Sequence, residues 1–209
     1  LEGSCRSVGT HRQVGQLRLR ASAYRPDLTV VSVDIETAME GIQLYSIGVH
    51  LWGPRGEQRR VFMVGEGASQ DWVQPEPSQR AVLEAFLQWL ATEDPDVLIG
   101  WNVVNFDTWY LQRVADALGR RLLLGRDRRP LHWRQRDDEG ERRTVQCPGR
   151  VILDGIELLR AAFYRFESFS LEHVATELLG EGKLLKGAGR GEEIGELFQH
   201  DKTALADYT

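Results

Sequence analysis

The chain has 209 residues, 42% hydrophobic and 27% charged, an ordinary globular composition and enough for one ample α/β domain or a domain with an appendage. A formal net charge of −5 argues against a protein that coats nucleic acid, though not against a module that grips only a strand end, and no apolar run approaches a membrane span. Two distant cysteines, Cys5 and Cys147, and scattered histidines fit a reducing compartment and argue against a disulfide framework or a zinc site.

Residues 1–27 are a weakly periodic lead-in that reads as the remnant of a preceding N-terminal domain or as added residues. Alternation over Gln16-Leu17-Arg18-Leu19-Arg20 predicts an edge strand, and Pro26 and Asp27 close the segment, leaving 28–209 as one domain. The β-branched run 28–33 predicts a buried strand; 44–52 and 60–64 predict two more, joined by the turn Gly53-Pro54-Arg55-Gly56, so that the three form an antiparallel meander. Residues 65–77 read as a polar loop. Ser78 is placed to cap a helix over 80–91, with Val82, Leu83, Phe86, Leu87 and Leu90 on its apolar face. The continuous apolar run 97–101 predicts a strand covered on both faces, followed by a helix over 106–118. Residues 120–150, rich in arginine, read as a solvated insertion with a hairpin around Asp137-Asp138-Glu139-Gly140. A fifth strand over 151–154 and helices over 155–162, 170–179 and 194–208 complete the chain. This order predicts an α/β fold with a mixed five-stranded sheet flanked by helices.

Two places carry chemistry. In Asp34-Ile35-Glu36-Thr37, at the end of the first buried strand, alternation sends Asp34 and Glu36 to one face and Ile35 to the core. Two adjacent carboxylates repel each other unless a divalent cation sits between them or one keeps a proton, and hard oxygen ligands suit Mg²⁺ or Mn²⁺. Most Asp-x-Glu tripeptides are simply solvated surface, so the second place matters. In Gly100-Trp101-Asn102-Val103-Val104-Asn105-Phe106-Asp107, a buried strand delivers a short turn and sets Asp107 in the first turn of a helix, where the dipole favours an anion. A plain helix cap would explain Asp107 as well.

Together these segments resemble the first and second motifs of the 3′→5′ proofreading exonuclease domain of family B DNA polymerases. Tyr24-Arg25-Pro26, the run Gly149 to Glu157, Phe169-Ser170-Leu171-Glu172 and Glu177 to Lys183 extend the resemblance to the bacterial branch of that family, over nearly all of 24–209. The resemblance implies an RNase H-like fold and a third motif, Tyr-x-x-x-Asp, whose tyrosine is Tyr208 and whose aspartate falls three residues past Thr209. It therefore also implies a piece of a longer polymerase, truncated at its C-terminus before its last metal ligand.

The same resemblance implies the chemistry. Two divalent ions, Mg²⁺ or Mn²⁺, roughly 3.5–4 Å apart, would activate water and steady the leaving oxygen in phosphodiester hydrolysis. It makes Asp34, Glu36 and Asp107 metal ligands and catalytic groups, Tyr208 the residue orienting the attacking water, and Asn102 and Phe106 contacts to the substrate end, although Phe106 also suits core packing. The implied partners are the unpaired 3′ end of single-stranded DNA, bound without sequence preference, and the rest of the polymerase chain, in the cytoplasm at the nucleoid and not at a membrane. A catalytically silent scaffold or DNA clamp and a free-standing exonuclease of the same superfamily stand as alternatives.

Other features point elsewhere. Gly180-Glu181-Gly182-Lys183-Leu184 lacks the Ser/Thr and the leading glycine of a P-loop, and Gly187-Ala188-Gly189-Arg190-Gly191 follows no strand. Trp89, Trp101 and Trp109 are expected in the core, and Asp154 is expected to be structural.

Overall fold

The computed structural model describes all residues except 1, 9, 10, 19, 20, 22, 136–142 and 181–189. The tip of the predicted hairpin and the two glycine-rich stretches, up to Gly191, therefore lie wholly or largely outside the described residues.

The strands are β1 (Glu2–Val8), β2 (His11–Arg18), β3 (Val30–Thr37), β4 (Leu44–Gly53), β5 (Gly56–Val64), β6 (Val73–Glu76), β7 (Val97–Gly100), β8 (His132–Gln135), β9 (Arg143–Gln146) and β10 (Val151–Asp154). The helices are α1 (Gln79–Glu93), α2 (Asp107–Ala117), α3 (Gly155–Ala161), α4 (Leu171–Leu179), α5 (Arg190–His200) and α6 (Lys202–Tyr208). The main sheet runs β10-β7-β3-β4-β5-β6. The meander β3-β4-β5 is antiparallel, while β7 runs parallel to β3 and β10 parallel to β7.

The sheet thus has six strands, not five. The extra one, β6, lies inside the stretch that reads as a polar loop and pairs in parallel with β5. It is four residues long and contains Pro75, which lacks an N–H and is at home on a sheet edge. The lead-in also departs from expectation: β2 pairs with β1 in a separate two-stranded hairpin rather than joining the main sheet.

Alternation along the strands covers the sheet on both faces. Val31, Val33 and Ile35 of β3, with Phe62 of β5, enter the larger core cluster beneath α1 and α2, together with Phe86, Trp89 and Leu111. Val61 and Met63 point the other way, into a smaller cluster with Tyr45, Ile194, Leu205 and Ala206 that α5 and α6 cover. There Tyr45 stacks on Phe198 at 3.9 Å, and Lys202 lies over the Phe198 ring while donating to the Val64 carbonyl. Ser32, Asp34 and Glu36 fall on this second face, opposite the larger core.

Helix ends follow their chemistry. Ser78 accepts the Ala81 N–H at the start of α1, and Ser170 accepts the His173 N–H at the start of α4. The helix expected over 194–208 is two helices, because the Asp201 side chain accepts the Ala204 N–H and starts α6 anew.

The arginine-rich insertion is anchored rather than wholly solvated. Leu122, Leu124, Leu131 and Cys147 join the larger core, and burial pushes the Cys147 thiol up to about 11. Trp133 of β8 donates to Gln112 of α2 and meets Trp109 edge to face. Among the described residues, no helix is long and apolar enough to cross a membrane.

Candidate active site

The strand end of β3 and the turn after β7 meet at a cleft of ≈ 740 Å³. Asp34 and Glu36 line it from β3; Asn102 and Phe106 line it from the turn. Asp34 is exposed, whereas Glu36 is 7% exposed on the same strand face, at the end where α5 packs against β3. Ser170 and Leu171, at the start of α4, complete the far wall.

The turn from 101 to 106 is locally determined. Gly100 must be glycine, because a Cβ there would stand 2.8 Å from both the Val103 side chain and the Val33 carbonyl oxygen. Asn102 takes φ +60°, a left-handed conformation that asparagine tolerates. The Asn102 carbonyl accepts the Phe106 N–H at 2.8 Å, and the Val103 carbonyl accepts both the N–H and the hydroxyl of Thr108. Phe106 is 44% exposed and so is not a core-packing residue.

Asp107 is not a helix cap. Phe106 holds the cap position of α2, and Asp107 is 1% exposed. The charged group that acts on it is the carboxyl of Asp34. Burial first, and the negative charge of Asp34 second, push the Asp107 carboxyl up to about 8. A buried acid beside a second acid has the donor chemistry of a cation site: it costs free energy as an anion until positive charge arrives. Among the described residues, no three His, Cys, Asp or Glu side chains stand together in a ready-made metal cluster. The pair that meets is Asp34 with Asp107, and Glu36 lies further along β3 in the same cleft.

The end of α6 reaches the same region. Thr209 packs on Gly48, which is the β4 residue paired with Asp34, and its hydroxyl lies 2.9 Å from that of Ser46, paired with Glu36. Tyr208 is half-buried beside it, packed on the smaller core cluster.

Two aromatic residues expected in the core belong to this site instead. Trp101 and Trp109 are half-buried and line the cleft, while Trp89 is buried as expected. Trp101 donates its indole N–H to the Phe169 carbonyl, and Arg143 of the hairpin lies over Trp109 at 4.3 Å. The Arg143 N–H is accepted by Asn105 Oδ1, so the hairpin is tied to the turn that carries the site.

Comparison with known proteins places this mixed sheet and the paired carboxylates of its central strand in a family of exonuclease domains. The family model for "DNA polymerase family B, exonuclease domain" matches residues 10–174. The chain is 46% identical over 191 residues to DNA polymerase II of Escherichia coli (strain K12), covering 88% of this chain and 24% of that protein. It is 29% identical over 187 residues to a DNA polymerase of Thermococcus litoralis, covering 88% of this chain and 11% of that one. The family B DNA polymerase of Pyrobaculum calidifontis superposes with a TM-score of 0.71 over 98% of this chain and 26% of its own, at 21% identity, which speaks to the fold. The chain belongs to the exonuclease-domain family of the family B DNA polymerases. It spans about a quarter of the length of the Escherichia coli relative.

Proposed function

We propose that this chain is the proofreading domain of a bacterial DNA polymerase II and removes nucleotides from the unpaired 3′ end of DNA. The observation that carries this reading is Asp107: a buried carboxyl set against that of Asp34, which lines the cleft, and held well above the ordinary carboxylate range. The unfilled need for positive charge fits a divalent cation, Mg²⁺ or Mn²⁺, and two such ions when bound supply an activated water and neutralise charge on the phosphate.

The chain's own residues do the rest. Asp34, Glu36 and Asp107 would hold the cations. Asn102, half-buried, and Phe106, exposed, would hold the terminal nucleotide from the turn by hydrogen bonding and by stacking, which serves any base. Tyr208 would orient the attacking water, a positional role. The third motif of the family calls for an aspartate three residues after Thr209, and the packing of Thr209 on Gly48 supports its delivery next to Asp34. The remaining partner is the polymerase part of the same polypeptide, inside the cell at the nucleoid.

The test follows shortening of 5′-labelled single-stranded DNA with Mg²⁺ or Mn²⁺. It compares the 209-residue chain and one extended past Thr209, each with and without Asp34→Ala. The extended chain is expected to shorten DNA from its 3′ end and to lose that activity on substitution, with weak or no cutting by the 209 residues. Cutting by the extended chain that survives Asp34→Ala overturns the reading.

A further inference from the structure

Asp154 is a buried acid with no part in the scheme above. It ends β10, is 5% exposed, and pairs in register with Gly100, where the chain leaves β7 for the turn. Its two oxygens face two different elements. Oδ1 accepts the Ile156 N–H at 3.0 Å and so caps α3; Oδ2 accepts the Val104 N–H at 3.0 Å, across the sheet from β10. The α3 cap alone would need only one oxygen, and serine or asparagine would supply it. The second bond goes to the middle of the segment that positions Asn102, Phe106 and Asp107.

The surroundings make that bond consequential. The turn satisfies its own Phe106 and Thr108 N–H groups, through the Asn102 and Val103 carbonyls, and Val104 N–H is the donor that turns to a side chain instead. A second contact joins the same two elements: Gly155, the first residue of α3, lies so close beneath Trp101 that a Cβ would stand 2.9 Å from the ring. The start of α3 and the turn are thus fitted as one piece, with Asp154 as the polar link.

We infer that Asp154 is a positioning residue for the exonuclease site: through the Val104 N–H it fixes the turn that sets Asp107 against Asp34 and holds Asn102 and Phe106 in the cleft. Its catalytic consequence rests on the exonuclease reading. Its structural consequence, local stiffening of the turn, does not.

Asp154→Ser separates the two jobs of this side chain. Serine still caps α3 but cannot reach Val104, whereas Asp154→Glu tests whether a carboxylate of the wrong length suffices. Two measurements are made on the extended chain. The first is backbone amide exchange, which needs no activity. Asp154→Ser is expected to speed exchange at Val104 and its turn neighbours about 10-fold or more while α1 and the strands keep their protection. The second is the Mn²⁺ concentration for half-maximal DNA shortening, expected to rise about 10- to 100-fold, the usual effect of removing a residue that orients metal ligands. Unchanged exchange at Val104, or a metal requirement equal to that of the parent, overturns the inference. A parent chain that never shortens DNA defeats the exonuclease reading instead, and the exchange result then decides the role of Asp154 alone.

Discussion

The carboxyl of Asp107 is buried against the carboxyl of Asp34, a neighbour that repels it, and the backbone N–H groups of Asp107 and Ile35 offset that cost only in part. In the absence of cations the folded chain therefore holds the Asp107 proton up to about pH 8, while the unfolded chain releases it near the ordinary aspartate value. Between those limits the native state binds more protons than the unfolded state, so stability is fully present at low pH and is lost as pH rises, by up to about 1.4 kcal/mol per pH unit. Urea midpoints taken in EDTA from pH 5 to 8 should fall along this slope. Mn²⁺ should flatten it, and Asp107→Asn should remove both the slope and the response to Mn²⁺. A parent profile in EDTA that is flat across this range would contradict the burial of one acid against another.

Arg150 supports the site from below. Its buried guanidinium donates to the Leu124, Leu90 and Pro95 carbonyls and meets Asp94 at 2.8 Å, tying the start of β10 to the end of α1 and the approach to β7. Burial lowers its pKa without discharging it. Removing one partner of such a network leaves several acceptors without donors, so Arg150→Ala should cost about 3–5 kcal/mol in denaturant unfolding. Arg150→Lys should recover only part, since one ammonium cannot match the planar fork. A loss below about 1 kcal/mol for Arg150→Ala would show that water replaces the bonds.

Cys5 is exposed and Cys147 is buried, with its thiol pushed up to about 11 by burial. Only the thiolate attacks an aromatic disulfide reagent. One thiol should react promptly in the folded chain, the second only on unfolding, and Cys5→Ser should abolish the prompt phase. Two prompt equivalents would mean that the insertion opens readily.

The site was legible in the sequence to the extent that strand patterning carried it. The β-branched run into Asp34 and the apolar run into Gly100 have clear periods, and their placement in neighbouring parallel strands brings the two carboxylates together. What escaped depends on tertiary context. β6 is short, polar and proline-bearing, so only its pairing with β5 makes it a strand. Apolar spacing runs through Asp201 without a break, and the helix ends there because a side chain competes for the Ala204 N–H. Trp101 and Trp109 have core composition, yet both line the cleft and stay only half-buried. Nothing in the residue types around Asp154 signals that Val104 will present it a free N–H; that follows from the fold of the turn.

Gly48 offers the last test, because its importance is purely one of space. It pairs with Asp34 across β3 and β4, and a Cβ there would stand 2.5 Å from the Thr209 carbonyl oxygen and 2.9 Å from its Cγ2. Backbone cannot yield as a flexible side chain can, so Gly48→Ala must shift the end of α6 away from Asp34. The strand itself tolerates alanine, and overpacking of this kind costs about 1–3 kcal/mol. Activity should suffer more than stability, since a displacement of about 1 Å at a catalytic site can cost about 100-fold. In the extended chain, Gly48→Ala should therefore lower the rate of DNA shortening about 10- to 100-fold while the protein stays folded. Gly195→Ala, at a glycine of α5 where a Cβ would meet only the Tyr45 hydroxyl at 4.0 Å, controls for loss of glycine itself. If Gly48→Ala cuts as fast as the parent, the end of α6 has no part in orienting the reaction, and the role given to Tyr208 falls with it.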